Sequence, residues 1–428
     1  MPAQKYDQVI VDITDYIFHG KIQDQAAFAK ARTALLDAMG CAIETVYKSE
    51  SCRRLLGPPV PQTFTFNGFK LPGTSYRLDP FKDWGHPSDN IGAILAVMDW
   101  LSRSTEKGKL AHNGPPLTME TLLTAIIKAY EIQGCFLLQN SFNSHGLDHV
   151  ILVKLASTAV GWAAGEACMK AVQLAWVVRA GQPGSPTVLT MPRWGFYDAM
   201  FGGNEFVLPV KYDSWVINHV LFKILPVEGH AVAAVESALI LNQILRERAL
   251  RADRDILRID IRTNAAANMI INKSGPLYNS ADRDHCMQYI IAVTFLKGAA
   301  PEAQDFMDDS PWASNPAVDM LRNRINIHGD AQLTQDYMDL DKKSISCGLT
   351  VHLADSSSLD EVLVEFPVGH AANPHTSTAV KEKFRRNMSL LFSEVEIEEI
   401  SRAVEQDDMK IFQFVDLFVR ENISQSNL

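Results

Sequence analysis

The sequence has little cysteine, and its cysteines are scattered along the chain. Its 428 residues contain six cysteines, with no C-x-x-C motif and no local cluster of cysteine and histidine. Zinc sites and the usual iron–sulfur sites need such ligand spacing. Scattered thiols of this kind predict a reducing compartment, mostly buried cysteines and no metal site.

Positive charge is also scarce. The 50 acidic residues outnumber the 40 basic ones, which gives a formal net charge of −10. Nucleic acids and anionic membranes bind to basic surfaces, so this balance argues against both as partners. An anionic substrate would need positive side chains gathered locally.

Targeting and membrane signals are absent from the pattern. Residues 1–20 carry three aspartates and no arginine, which is typical of neither a signal peptide nor a transit peptide. The most apolar run, 150–164, is interrupted by Lys154 and is too short to span a bilayer. We therefore expect a cytoplasmic protein, with the mitochondrial matrix as the alternative. The G-x-S-x-G, Walker and G-x-G-x-x-G motifs are missing too.

The most informative stretch that is present is 83–103, DWGHPSDNIGAILAVMDWLSR. A turn-forming lead-in holds His86, and Ser88 is placed to cap the helix that follows. Apolar residues then recur at helical spacing from Ile91 to Leu101. The start of a helix attracts anions, so an imidazole beside it suits proton chemistry on a carboxylic acid. A simple helix cap with a hydrogen-bonded loop histidine is the alternative.

The rest of the chain predicts a mainly α protein with a smaller α+β domain. Two helices precede residue 56, the second with Gly40 as its stop, and 117–133, 148–176 and 282–297 are also predicted as helices. Alternating segments at 256–263, 344–352 and 359–366 predict an antiparallel sheet. We expect a large all-helical domain over 1–219, the α+β domain over 220–375 and further helices over 376–428.

Three further places could carry chemistry. His145 and His149 are four residues apart, but without a neighbouring glutamate they are a weak metal motif, and His149 alone could sit at a helix start. Lys223 and His230 would gather positive charge at the domain junction. Arg283 could bind a carboxylate through two hydrogen bonds. The alternatives are a capped helix end at His149, a solvated hinge at Lys223 and His230, and a surface ion-pair cluster at Arg283.

Several long blocks in order resemble the MmgE/PrpD family. They are the 83–103 stretch, AIIKAYEIQGC, GLDHVILVKLASTAV, RWGFYDA and GPLYNSADRDHCMQY. The resemblance implies a homodimer. In each chain it implies a helical domain on which the C-terminal helices pack back, and an α+β lid over 220–375. It also implies cofactor-independent loss of water from a 2-methylcitrate-like tricarboxylate. The family includes a cis-aconitate decarboxylase and an epimerase as well.

The resemblance also implies site residues. His86, His149 and His230 match family histidines, and Lys223 is the companion of His230. In the family a base removes a proton beside a carboxylate, an acid protonates the departing hydroxyl, and cations hold the charge.

The chain departs from the family in two places. Family members carry an extra segment between Pro80 and Trp84, with a site aspartate for which Asp83 could substitute. They carry a second one between Val160 and Gly161 that ends in a basic residue. Either the short chain is active on an alkylcitrate or another tricarboxylate, or it is a catalytically impaired paralogue.

Overall fold

The computed structural model describes residues 5–50, 69–70, 72–74, 77–78, 89–140, 145, 177–178, 180–182 and 184–420. The chain forms two compact units, which are treated separately below. The helical unit comprises Met1–Asn218 and Lys381–Leu428, and the mixed unit comprises His219–Val380. The mixed unit is therefore an insertion between two parts of the helical unit.

The helical unit is built from helices of very different length. They are α1 (Gln8–His19), α2 (Gln25–Lys48), α3 (Asp89–Glu106), α4 (Met119–Gln139), α5 (Phe196–Met200), α6 (Trp215–Asn218), α14 (Thr376–Met388), which crosses the boundary, α15 (Glu394–Ala403) and α16 (Ile411–Asp416). Two short strands, β1 (Phe69–Lys70) and β2 (Arg77–Leu78), pair antiparallel. The predicted helix at 148–176 lies outside the described residues.

Helix α4 forms the centre of the helical unit. Leu122, Leu123, Ile126 and Ile127 are fully buried and recur at helical spacing, so α4 packs against α2, α3 and α6. Its length and composition alone would let it cross a membrane, but a core helix of a soluble protein meets the same criterion. The first backbone N–H groups of α4 donate to carbonyls of the C-terminal tail, including Met119 N to Met409 O at 2.9 Å.

A buried ion network joins α3 to the C-terminal helix α16. The Arg103 guanidinium is 8% exposed, and its Nε donates to Asp99, which is fully buried, at 2.9 Å. Its Nη2 donates to Asp416 at 2.7 Å and to the Phe412 carbonyl at 3.2 Å. Lys70 in β1 pairs with the same Asp416 at 2.7 Å. One guanidinium thus connects residues more than three hundred positions apart in sequence.

Gly40 does not end its helix, contrary to the prediction. Helix α2 continues to Lys48. A Cβ added at position 40 would lie 3.1 Å from the Phe384 ring and 3.4 Å from the Phe384 Cα. The glycine therefore serves close packing of α14 on α2, because it lets the helices approach without a side chain between them.

The mixed unit contains the sheet. Its elements are a 3-10 turn (Gly229–Ala231), α7 (Val232–Glu247), α8 (Ala252–Asp255), β3 (Ile256–Thr263), α9 (Ala265–Ile271), α10 (Ser280–Asp284), α11 (Met287–Lys297), a second 3-10 turn (Ala303–Phe306), α12 (Pro316–Arg322), β4 (Ile325–Gly329), α13 (Ala331–Met338), β5 (Cys347–Leu353) and β6 (Ser358–Val364).

The prediction of a mainly α fold with an α+β part is confirmed, with one correction to the sheet. The strand order is β4-β3-β5-β6, and β3 pairs antiparallel with β5, as β5 does with β6. The β3–β4 pair is parallel, with Ile259 opposite Ile325. Residues 264–324 carry four helices between these strands, which gives the chain the length that a parallel crossover needs. Strand β4 was not predicted, because INIHG is too short to show an alternating pattern.

One face of the sheet carries the core of the mixed unit. Ile259 and Ile261 of β3 and Leu349 and Val351 of β5 are buried, and α7 packs against this part of the sheet. Helix α11 is buried for almost its whole length, as its nearly uniform apolar sequence requires. The predicted single helix at 282–297 is instead two, α10 and α11, separated at His285 and Cys286.

The ion network predicts an unequal response to arginine replacement. Arg103→Met should lower the free energy of unfolding by about 3 kcal/mol or more, because Asp99 would stay buried without its partner. Arg385→Met is the control. Arg385 forms exposed pairs with Glu394 and Glu398, and its replacement should cost much less, because exposed ion pairs contribute little to stability. Urea unfolding followed by circular dichroism measures both. Equal losses would show that the buried network is not a main source of stability.

Candidate functional site

Four of the predicted site residues lie outside the described residues. They are Asp83, His86, Ser88 and His149. Helix α3 begins at Asp89, directly after the residue predicted to cap it. The roles of these four residues stay predictions.

His230 lies in the 3-10 turn that immediately precedes α7. Glu228 is the N-cap of this turn, and its carboxylate accepts a hydrogen bond from the His230 backbone N–H at 2.8 Å. The same carboxylate faces the imidazole Nδ1 at 3.0 and 3.2 Å. Both side chains are mostly buried, at 13% and 14% exposure. The imidazole Nε2 is buried, and no described residue hydrogen-bonds to it.

The charge on Glu228 follows from its neighbours. Burial alone would raise its pKa, but the hydrogen bonds and charge of His230, together with the charge of Lys223, outweigh burial and lower the pKa of Glu228. The sequence analysis identified both His230 and Lys223, and in the structure the charges of both act on the Glu228 carboxylate. The sequence analysis did not identify Glu228. An acidic residue two positions before a histidine at a helix start could have indicated the N-cap and its contact with that histidine.

Tyr337 lies beside the imidazole, and Lys343 lies beside Tyr337. The Tyr337 ring lies 5.7 Å from the His230 ring, centroid to centroid. Burial, and then the nearby Glu228 charge, raise the pKa of Tyr337. The Lys343 Nζ lies 5.2 Å from the Tyr337 ring centroid, and burial lowers the pKa of this lysine. No sequence pattern indicated either residue, because more than a hundred positions separate them from His230.

The ADRDHC segment, residues 281–286, contacts the backbone of Glu228. The backbone N–H of Glu228 donates to the Asp284 carbonyl at 3.2 Å. A hydrogen bond donated by the His285 Nδ1 to the Asp284 carboxylate, and the charges of Asp284 and Glu228, raise the pKa of His285 against the effect of its burial. Arg283 is itself buried and donates from Nε to the Phe306 carbonyl at 2.6 Å and from Nη2 to Asp308. These contacts are internal to the mixed unit, and the substrate role of Arg283 stays a prediction.

Lys223 is positioned by a tight backbone contact beside it. Phe222 N donates to the Gly369 carbonyl at 2.9 Å. Gly369 has φ of +110°, and a Cβ there would collide with the Phe222 carbonyl oxygen. Glycine is therefore required at position 369 for both conformation and space.

Of the two histidines His145 and His149, only His145 lies within the described residues. His145 stacks on Phe201, with ring centroids 4.1 Å apart. Within the described ranges, no group of three or more histidine, cysteine or acidic side chains is arranged to hold a metal ion.

A separate surface cavity of about 500 Å³ lies at the ends of β3 and β5, lined in part by Arg258, Arg324 and His352. Two of these side chains share one carboxylate, since Asp260 binds Arg258 at 2.8 Å and His352 at 3.0 Å. Arg324 donates to the Ile256 carbonyl at 2.6 Å. This cavity does not include His230, and we do not assign the chemistry to it.

Comparison with known proteins decides the family. The model of the MmgE/PrpD N-terminal domain matches residues 80–161, and that of the MmgE/PrpD C-terminal domain matches 225–408. The chain belongs to the MmgE/PrpD family. The C-terminal match includes His230, Arg283 and most of the mixed unit.

Individual relatives agree over nearly their whole length. An alkylcitrate dehydratase, phiI, from a fungal species (strain ATCC 74256) is 48% identical, over 98% of this chain and 95% of the relative. Alkylcitrate dehydratase phiI from Talaromyces stipitatus is 44% identical, over 99% of each. A mitochondrial 2-methylcitrate dehydratase from Yarrowia lipolytica is 39% identical, over 97% and 91%.

This chain is shorter than the first fungal relative over their common length. The alignment with that relative spans 479 positions, whereas 98% of 428 residues is about 419, so about 60 positions have no counterpart in this chain. That they form two segments, between Pro80 and Trp84 and between Val160 and Gly161, stays a prediction.

The contact beside Lys223 predicts a graded response at two glycines. Gly275→Ala should cost about 1 kcal/mol, because position 275 has φ of +97° but no atom within 4 Å of an added Cβ. Gly369→Ala should cost about 3 kcal/mol, because the collision with Phe222 adds to the strain. Urea unfolding of both variants measures this difference. A smaller loss at 369 than at 275 would contradict the steric argument.

Proposed function

We propose that this protein is a lyase that removes water from 2-methylcitrate or a related alkylcitrate without a cofactor, giving a 2-methylaconitate-like product. The main support is the full-length similarity to alkylcitrate and 2-methylcitrate dehydratases. The geometry around His230 adds to it. A buried imidazole paired with a carboxylate, with Lys223 nearby, offers a proton acceptor and positive charge for a tricarboxylate.

We propose site roles on the same basis. His86, His149, His230 and Asp83 would carry the proton transfers. Lys223, Ser88 and Arg283 would bind the carboxylates of the substrate. No metal is assigned a role.

We further propose the domain division predicted from the sequence, with a helical domain over 1–219, a lid over 220–375 and C-terminal helices over 376–428. Its support is the mixed unit His219–Val380 and the C-terminal family match that starts at residue 225. A cytoplasmic location is proposed, with the mitochondrial matrix as the alternative, since one relative is named mitochondrial. The route would be propionate metabolism or a specialised pathway that makes alkylcitrates.

Two alternatives remain part of the proposal. The chain could decarboxylate or dehydrate another tricarboxylate, as a cis-aconitate decarboxylase-like enzyme does. It could also be a catalytically impaired paralogue, since about 60 positions of the fungal relative are missing.

The proposed activity predicts product formation that depends on His230. Incubation with 2-methylcitrate and longer alkylcitrates should produce the ultraviolet absorbance of a conjugated C=C bond, with and without a chelator. His230→Asn should lower kcat at least about a hundredfold, as loss of a positioned acid or base does. His328→Asn is the control, because His328 is exposed on β4 and should keep full activity.

The outcome also separates the alternatives. A chain that is folded but silent on every alkylcitrate, and becomes active when both missing segments are restored, would establish the impaired paralogue. Release of carbon dioxide instead of water would establish the decarboxylase. Equal loss in the His230 and His328 variants would contradict the proposed site.

We also propose a homodimer. In the helical unit the aromatic side chains of Phe18 and Trp194 are 76% and 80% exposed, so they are candidates for burial in a dimer interface. Light scattering after size-exclusion chromatography should give twice the chain mass of 47.6 kDa. Trp194→Glu should shift the equilibrium towards the monomer, whereas Val395→Glu, a helix-surface control at 74% exposure, should not. A monomer at every concentration would contradict the proposal.

A further inference from the structure

The two nitrogens of the His230 imidazole lie in different surroundings. Nδ1 faces both oxygens of the Glu228 carboxylate, at 3.0 and 3.2 Å. Nε2 is buried and has no hydrogen-bond partner in the part of the chain that the structure describes. Buried polar atoms are nearly always paired, since leaving one unpaired costs free energy. The orphaned nitrogen therefore marks the side of the ring where a further group binds.

The carboxylate decides which nitrogen carries the proton. The pKa of Glu228 is lowered by its contacts with His230 and by the charge of Lys223, in spite of burial. An ionised carboxylate only accepts hydrogen bonds, so Nδ1 must be the donor. In the neutral imidazole Nε2 then holds the lone pair.

Glu228 is held firmly in this orientation. Its Oε2 also accepts from the His230 backbone N–H at 2.8 Å, and its own backbone N–H donates to the Asp284 carbonyl at 3.2 Å. Because both side chains are mostly buried, water competes weakly for these hydrogen bonds.

We infer that Glu228 is a positioning residue that holds His230 in the tautomer with a proton on Nδ1, so that Nε2 is the base in the dehydration. This inference rests on the proposed function and assigns His230 one of its two proton transfers. The substrate C–H bond breaks, and its electron pair forms the C=C bond. The proton goes to Nε2, and the hydroxyl leaves as water after a second group protonates it.

Kinetics test whether Glu228 acts through His230. Glu228→Gln keeps an acceptor for the His230 backbone N–H but removes the charge. It should lower kcat at least about tenfold with little change in KM, as loss of an orienting carboxylate does. Asp330→Asn removes the charge of another helix-capping carboxylate in the mixed unit and should change neither constant.

A double-mutant cycle makes the test specific. In a His230→Asn background, Glu228→Gln should cause no further loss, because the two residues act as one unit. A further tenfold loss there, or an equal loss from Asp330→Asn, would overturn the inference.

A second measurement needs no activity. In protein labelled with ¹⁵N-histidine, the His230 signals are assigned by their disappearance in His230→Asn. At mildly alkaline pH the wild type should show a protonated Nδ1 and an unprotonated Nε2, and Glu228→Gln should mix the tautomers. A wild-type proton on Nε2 would overturn the inference. The expected spectrum in a protein that dehydrates no alkylcitrate would leave the tautomer assignment standing and refute the proposed function.

Discussion

The helical unit depends on keeping the Arg103 guanidinium paired while it is buried. A buried charge without a partner is very costly, so Asp99 and Asp416 must both be present. Asp99 lies four residues away on the same helix, whereas Asp416 lies near the end of the chain. The helical unit is therefore complete only after the chain has passed through the mixed unit and returned. This requirement explains why residues 381–420 belong to the first unit rather than forming one of their own.

In the mixed unit, burial of neighbouring residues fixes the position of the His230 imidazole. Residues Ala231 to Val235 are buried against the sheet, so the start of α7 cannot shift without disturbing the core. His230 is fixed in the turn immediately before this buried run. Its position is thus set by core packing, which gives the proposed site a rigid support. The inferred role of Glu228 adds control over the tautomer of the His230 ring.

The comparisons define which parts of the family fold this chain retains. The C-terminal family match runs without interruption from 225 to 408, through the sheet and the turn that holds His230. The N-terminal match is shorter, from 80 to 161, and the two predicted missing segments lie close to its ends. The C-terminal match therefore includes His230, while the predicted missing segments lie on either side of the part of the chain that holds His86 and His149.

The sequence by itself determined the family, the fold class, the course of α3 and α4 and the bounds of β3. These follow from local periodicity, from capping residues and from long blocks in a fixed order, which neighbouring residues carry. Only the tertiary structure decided that Gly40 serves helix packing, that β4 pairs parallel with β3, and that Tyr337 lies beside His230 and Lys343 beside Tyr337. Each of these was decided by contacts across the chain, and no local pattern encodes such contacts.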